Sequence, residues 1–330
     1  MNNLSSMKRL VKSTGAALLN RTGALKFLWE RDPSWRILMY HRVVDPETLT
    51  YPIQAGMYVR PKTFKMHCEI LKAEANVVQV DDLVRAVLSN QSLSPRTVAV
   101  TFDDGWSDNI RNAYKILNSH NLPATVFLPT DFIGTTKLFW TDDIARALRA
   151  WPKDAAREYL TPQLIHEISL QPTEEERLEV LVNYLFLLSK TKRNEIIAQL
   201  TKRLSPNTQS EFISWQQAAD LKSLGIQIGS HSHSHQLFNG LTESERSIEL
   251  FESKKYLEEK GLLSSKLFVF PGGSHQREMA AEVLKAGYSA SLGTMRTNLL
   301  NPEFPVFPRV GMHEDISMTE DLFKLRLAVV

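Results

Sequence analysis

Two kinds of hydrophobic spacing alternate along this chain. Short, nearly unbroken apolar runs fall at 36–40, 77–80, 97–102, 124–128, 226–228, 267–270 and 288–292, with a further short run at Pro308-Arg309-Val310. Runs of that length, rich in β-branched residues, predict strands buried on both faces. Between them lie stretches with apolar residues three and four apart, at 62–73, 83–88, 107–119, 215–224, 243–260 and 278–286, and these predict helices. Asp81 follows the second run where a helix N-cap is needed, and 45–61, rich in Pro, Thr and Gly, reads as loop. The alternation predicts an α/β fold on a largely parallel sheet. From about 138 to 212 the strand runs stop, and Leu178, Leu181, Val182, Leu185 and Leu188 continue a helical pattern. We read one barrel-like domain over 36–330, carrying a helical insertion that forms a lid or a partner surface.

Composition narrows this picture. With 330 residues, of which 43% are hydrophobic and 23% charged, the chain has ample material for a core. A net charge of +2 excludes a polyanion binder of the whole-molecule kind, and no nucleic-acid partner is expected. Its single cysteine, Cys68, excludes an intramolecular disulfide and a cysteine-based zinc site; it shares a helix face with Phe64 and Leu71.

Residues 1–35 differ in character. Eight Lys and Arg fall within the first 42 positions, and Met7, Leu10, Val11, Ala17 and Leu18 share one helical face, with Lys8, Arg9 and Lys12 turned away. This basic amphipathic segment suits either a membrane surface or packing on the main domain. No run has the length of a signal-peptide core or a membrane span, so the expected location is cytoplasmic, with the inner membrane face as the surface such a helix would meet.

The chemistry gathers at two places. The run Val98–Phe102 ends in Asp103-Asp104-Gly105-Trp106, and the run at 226–228 leads to Gly229-Ser230-His231-Ser232-His233-Ser234-His235. Neighbouring carboxylates at a strand exit point in different directions, so one is free to bind a metal while the other handles a proton. Gly105 permits the sharp turn. The competing reading of the dipeptide is a helix-capping turn. His231 and His235 are four apart and fall on one side of a helical turn, with His233 elsewhere; a surface His/Ser loop is the alternative. Two imidazoles and a carboxylate make a three-ligand metal site with open positions for water and substrate, which leaves Asp103 as the base. No His-Glu-x-x-His helix exists, which disfavours a metalloprotease.

Thr101-Phe102-Asp103-Asp104-Gly105 and His231-Ser232-x-x-His235 resemble the first two motifs of the polysaccharide deacetylases, the NodB-homology group of carbohydrate esterases. The resemblance runs from about Ile37 to Val310, interrupted by the insertion. It implies a distorted (β/α) barrel with the site at the C-terminal strand ends, Asp103 as general base, and Asp104, His231 and His235 as ligands of a divalent ion, most naturally zinc. Several family features are missing. The third motif, usually Arg-x-Pro-Tyr-Gly, is replaced by Phe268-Val269-Phe270-Pro271-Gly272-Gly273. The arginine that orients the base and the aromatic wall are therefore absent, although the Gly272 N–H still suits an oxyanion. Arg309 is our candidate substitute partner for Asp103, against an ordinary surface ion pair. The family's Asp-x-x-Asp-Trp motif has no clear counterpart.

The C-terminal Leu-x-His that supplies the acid is not evident either. His313 is a weak candidate. Met39-Tyr40-His41-Arg42-Val43 resembles the poly-N-acetylglucosamine deacetylase branch, in which a first-strand histidine takes the acid role, and this points to His41. Trp106 and Trp140 are candidates for the cleft wall. The expected activity is metal-dependent removal of an N-acyl group, acetyl in the first instance, from an amino sugar of a bacterial surface glycan or its lipid-linked precursor. A glycan-binding or scaffolding protein without activity, and a deformylase or O-deacetylase using the same site, are the competing readings.

Overall fold

The computed structural model describes residues 13–31, 34–150, 159–273, 275–294, 301 and 303–329. Its main sheet is built from β1 (Arg36–Tyr40), β4 (Asn76–Val78), β5 (Thr97–Phe102), β6 (Thr125–Leu128), β7 (Gln227–Ser230), β8 (Leu267–Val269), β9 (Ala290–Gly293), β10 (Val306–Pro308) and β11 (Val310–Gly311), while β2 (Arg42–Val43) pairs with β3 (Tyr58–Val59). The strands run in the order β10-β9-β8-β7-β6-β5-β1-β11, with β4 beside β5, and each of these pairings is parallel. Only Arg309 separates β10 from β11. The segment therefore leaves β9 and joins β1 within one residue: the Arg309 N–H donates to Gly293 O at 3.1 Å and the Met312 N–H to Met39 O at 2.9 Å. This step closes the sheet into a barrel and carries Arg309 to its seam.

The register explains why the site lies at one end. Tyr40 stands opposite Phe102, Phe102 opposite Val126, and Leu128 opposite Ser230, so β1 and β5 finish together and β6 and β7 two residues further on, at the same end of the barrel. All six residues of β5 are buried, as expected for a strand covered on both faces. Helices pack outside. In Pro61–Glu74, Phe64, Cys68 and Leu71 face the core together, as their spacing predicts.

Among the described residues, four helices occupy the predicted insertion: Trp140–Ala150, Pro162–Ser169, Glu174–Phe186 and Lys190–Thr201. Ile144, Leu164, Leu178, Leu181, Leu185 and Leu200 form a core cluster of their own there, joined by Tyr51. Thr161, Thr173 and Ser189 cap three of the helices by accepting a backbone N–H. At the other end of the chain, residues 13–21 and Ala24–Arg31 are helical. Ala16, Leu25 and Trp29 are buried, and the second helix packs on the C-terminal helix Glu320–Val329. Leu18, Leu19, Phe27 and Leu28 remain exposed. Met7–Lys12, which carry much of the predicted amphipathic face, lie outside the described residues. Among the described residues, no helix is long and apolar enough to cross a membrane.

Three local expectations need correction. Asp81 is not an N-cap: the helix Val80–Leu88 begins one residue earlier, after Gln79, and Asp81 accepts the Lys266 N–H at 2.9 Å. The carboxylate still lies in the first turn, where the helix dipole favours it. The 45–61 stretch is not all loop, since it contributes β3 and two short 3-10 turns. The helix after β5 contains a π-helical turn, Asn109–Ala113, a distortion often found near functional sites.

Candidate active site

The ladder of β5 extends one residue past its end, because the Asp103 N–H donates to Tyr40 O at 2.9 Å. The chain then reverses at once. Asp104 has φ +73 and Gly105 φ +70, and the Gly105 N–H donates back to Asp103 O at 2.9 Å, a γ-turn centred on Asp104. A side chain at Gly105 would press within 2.6 Å of Leu128 Cδ2. A non-glycine residue with positive φ carries strain that surrounding structure must hold. Here the Trp106 indole holds it, donating to Asp104 Oδ2 at 2.9 Å. Trp106 itself is stacked on Phe212 at 4.6 Å and lies under the Arg42 guanidinium at 4.2 Å. Of the two readings of Asp103-Asp104, the helix cap falls away: both side chains are turned into the cleft.

The π-helical turn serves the next neighbour. Asn109 donates to His41 O at 2.8 Å, Asn112 to Val43 O at 2.6 Å, and Asp108 accepts the Val43 N–H at 3.1 Å. Arg42 completes the clamp, 2.6 Å from Asp108 and 3.2 Å from Glu211. The segment 41–43 is thus tied to the helix that follows Asp103-Asp104, and His41 stands at the rim with its Nε2 4.0 Å from Asp103 Oδ2.

His231 and His235 converge, but not on a helical turn. After β7 the chain has φ +67 at Ser232 and φ +55 at His235, and residues 231–237 are not helical. Glu249, from the helix Glu243–Glu259, explains the difference. Its buried carboxylate accepts the His233 and Ser234 N–H groups at 2.8 and 2.7 Å and the Ser234 hydroxyl besides, giving these donors a partner that no helix supplies. His233 points away, bonded to Thr130 at 2.8 Å. His231 Nδ1 lies 2.9 Å from Val269 O. A carbonyl only accepts, so Nδ1 carries a proton, and Nε2 is the ring atom turned to the cleft. The His235 ring is stacked on Phe139 at 4.1 Å.

These elements bring Asp104 Oδ1 within 3.4 Å of His231 Nε2 and 3.2 Å of His235 Nε2. Oδ1 is buried and makes no hydrogen bond among the described residues, while its sister oxygen is held by Trp106. One carboxylate oxygen and two imidazole nitrogens, all within 4.8 Å of one another, suit a divalent cation that accepts nitrogen and oxygen donors. The donor set fits. The His231–Val269 bond is the outer partner that such a ligand commonly has.

Beside it lies the pair that sequence reasoning could only suggest. Arg309 grips Asp103 with both prongs, Nη1 to Oδ1 at 2.7 Å and Nη2 to Oδ2 at 2.8 Å. Both residues are buried, so this is no surface ion pair. Burial alone would raise the Asp103 carboxyl, but Arg309, helped by His231 and His41, holds it below its usual range. Burial likewise works against Asp104, and the two imidazoles beside it hold its carboxyl well below the usual range. For His41 burial prevails and lowers its pKa despite the two nearby carboxylates.

The cleft encloses about 460 Å³, an ordinary size for a small-ligand site. Its barrel side includes His41, Arg309 and Gly272; its other side is made by the insertion, through Trp140, Asp142, Phe186, Lys190 and Arg193. Gly272 has φ +65, and a side chain there would meet Leu237 at 2.7 Å. The family model for polysaccharide deacetylase matches residues 90–291, more than half of the chain. The chain belongs to the polysaccharide deacetylase family.

Members of this family hydrolyse amide bonds of carbohydrates. The curated Bacillus subtilis (strain 168) protein "Putative polysaccharide deacetylase YxkH" is 21% identical over 266 residues, covering 80% of this chain, and the chain spans 66% of that protein's length. Among solved structures, IcaB from Ammonifex degensii is similar with a TM-score of 0.57 at 15% identity, over 89% of this chain and 97% of that one. The Streptococcus pyogenes deacetylase PplD, solved in complex with acetate, gives 0.54 at 16% identity, over 89% and 98% of the two chains. These likenesses establish the polysaccharide deacetylase barrel as the fold. The matched segment begins after β1 and ends before β10, so His41 and Arg309 lie outside it. Trp106 is among the cleft-lining residues, as expected, but it is almost fully buried and reaches the site through its indole N–H. His313 is not among the cleft-lining residues and is bonded to Asp315. Glu249 and the Arg42–Asp108–Glu211 set went unforeseen.

Proposed function

We propose that this polysaccharide deacetylase removes an N-acetyl group from an amino sugar, using a divalent ion, most naturally zinc, held by Asp104, His231 and His235. The observation that carries this reading is the juxtaposition of that donor set with a base already gripped by Arg309, in one cleft with His41. When bound, such an ion supplies Lewis acidity, making water more acidic and drawing electron density from an amide carbonyl. The protein's own groups do the rest. Asp103, kept ionised by Arg309, takes the proton of the attacking water. The Gly272 N–H offers a donor to the developing oxyanion. His41, neutral at rest and 4.0 Å from Asp103, receives the proton that Asp103 took from water and gives it to the departing amine nitrogen, so the C–N bond breaks to leave free amine and acetate. Trp106 and Arg309 are positioning residues, the first for Asp104 and the second for Asp103.

The substrate is a bacterial surface glycan or its lipid-linked precursor. Exposed Leu18, Leu19, Phe27 and Leu28, close to the basic start of the chain, favour peripheral contact with the inner membrane face and hence the lipid-linked form. Metal-loaded protein should release acetate from N-acetylglucosamine oligosaccharides, and Asp103→Asn should be slower by about 10²–10⁴-fold, the usual weight of a general base, while keeping its metal. Formate as the product from N-formyl sugars, with no acetate from N-acetyl ones, would reassign the acyl group. Bound metal with no product from either would turn the reading to a glycan-binding protein.

A further inference from the structure

Among the described residues three arginines line the cleft, and they are not in the same state. Arg309 is forked on Asp103, and Arg42 is paired with Asp108 and Glu211. Arg193, in the first turn of the insertion helix Lys190–Thr201, makes no ion pair among the described residues. Its Nε is sealed from solvent with no acceptor. Burial lowers its pKa, and no carboxylate opposes that shift. Its guanidinium stands 5.5 Å from the Trp140 ring, which orients the group without neutralising it. Lys190, three residues earlier on the same helix face, lines the same cleft; its ammonium meets Glu245 at 3.4 Å. That pair is substantially exposed on both sides, and exposed pairs contribute little and exchange readily. The carboxylate on this wall is Asp142, whose carboxyl burial raises to about 7 and whose neighbouring cation is Arg42. The insertion thus presents a partly buried guanidinium without an ion-pair partner and a loosely held ammonium to the cavity that holds the metal donor set.

We propose that Arg193 and Lys190 form an anion-binding subsite, so that the substrate carries a phosphate or a carboxylate on the same molecule as the reacting acetamido group. This deepens the deacetylase reading and rests on it for the position of that group. An unpaired, partly buried arginine is costly to keep. Its planar fork matches carboxylate and phosphate oxygens. A neutral glycan would leave it unsatisfied.

The test is calorimetric binding to the full, metal-loaded chain carrying Asp103→Asn to slow turnover. Three probes are compared: neutral penta-N-acetylchitopentaose, a tetrasaccharide alternating glucuronate with N-acetylglucosamine, and uridine diphosphate N-acetylglucosamine. At least one anionic probe should bind more tightly than the neutral one by about tenfold, the scale of one charge-assisted pair, and the preferred probe identifies carboxylate or phosphate. Arg193→Ala should abolish that advantage, Arg193→Lys should keep part of it, and Arg203→Ala, which removes an exposed charge outside the cleft, should leave it intact. Circular dichroism checks that each variant is folded, and the Lys variant carries the test if the Ala variant is not. Equal binding of all three probes, or an advantage that survives Arg193→Ala, overturns the subsite. Acetate release by wild-type protein is measured in parallel: release without anion preference removes the subsite alone, and anion preference without release removes the deacetylase reading alone.

Discussion

The two sides of the cleft are built on opposite plans. On the barrel side each charged group is paired even where single atoms such as Arg309 Nε and Arg42 Nη1 have no acceptor: Asp103 has Arg309, and Arg42 has Asp108 and Glu211, while His231 bonds Val269 and the histidine loop bonds Glu249. The open atom at its centre is Asp104 Oδ1, where the metal donors meet. On the insertion side the helices are settled among themselves, by Leu178, Leu181 and Leu185 and by side-chain caps, yet Arg193 makes no ion pair among the described residues and its Nε, like Asp142 Oδ2, is buried without a hydrogen-bond partner. Strand ends locked in a parallel ladder cannot shift without breaking backbone bonds, which suits groups that must stay within fractions of an ångström. Helices with a separate core can vary without disturbing that ladder. On the proposed function, the chemistry falls to the barrel and the choice of substrate to the insertion.

The sharpest way to break this division is to remove a metal donor. His231→Ala should lose the ion on dialysis, and activity should fall by more than about a hundredfold, the upper end of what outer-shell changes cost. Metal content by mass spectrometry and acetate release check both, and an ion retained at full occupancy would mean that the donor set is misassigned. Arg309→Met comes next. It leaves Asp103 buried without its cation, so burial dominates and the carboxyl pKa rises toward or past its ordinary value. A base works when ionised, so the acidic limb of kcat/KM should move to higher pH, with a larger loss in acid than in alkali. An unmoved limb would show that Asp103 is not the titrating base. Trp106→Phe keeps the stack on Phe212 but removes the donor to Asp104 Oδ2. We expect metal affinity to weaken by about 10- to 100-fold, read by competition with a chelator.

The central strands, the parallel sheet and the helical insertion were legible because hydrophobic period reports directly on burial. So was the meeting of Asp104 with His231 and His235, since strand-end position brings those side chains to one rim. The reason the histidines converge was not legible. Spacing of four suggested a helical turn, whereas the loop is held by Glu249, a lone acidic residue in an otherwise unremarkable helical stretch. Nothing in spacing separates that Glu from its exposed neighbours, because its burial depends on where the helix Glu243–Glu259 lies across β7. Arg309 could be suggested but not decided for a similar reason: its approach to Asp103 depends on the one-residue step from β9 to β1. The cleft-facing Arg193 has no local signature either. Long-range packing makes it distinctive, through the partners it lacks.

A third surface belongs to neither side of the cleft and gives the smallest expected effect. The helix Ala24–Arg31 turns Leu25 and Trp29 inward and leaves Phe27 and Leu28 outside, with Leu18 and Leu19 exposed on the preceding helical segment. Deleting the whole segment would be a poor test, because it would also strip Leu25 and Trp29 from the C-terminal helix and confuse binding with unfolding. Replacing only Leu18 and Phe27 by Ser avoids this. Each side chain is more than half exposed; at about 25 cal/mol per Å² of apolar surface, partial insertion of the two is worth roughly 1–2 kcal/mol. We expect the paired substitution to lower co-sedimentation with vesicles rich in anionic lipid by about tenfold, with an unchanged Tm. Undiminished sedimentation would remove the membrane from the reading and favour a substrate that diffuses freely to the cleft.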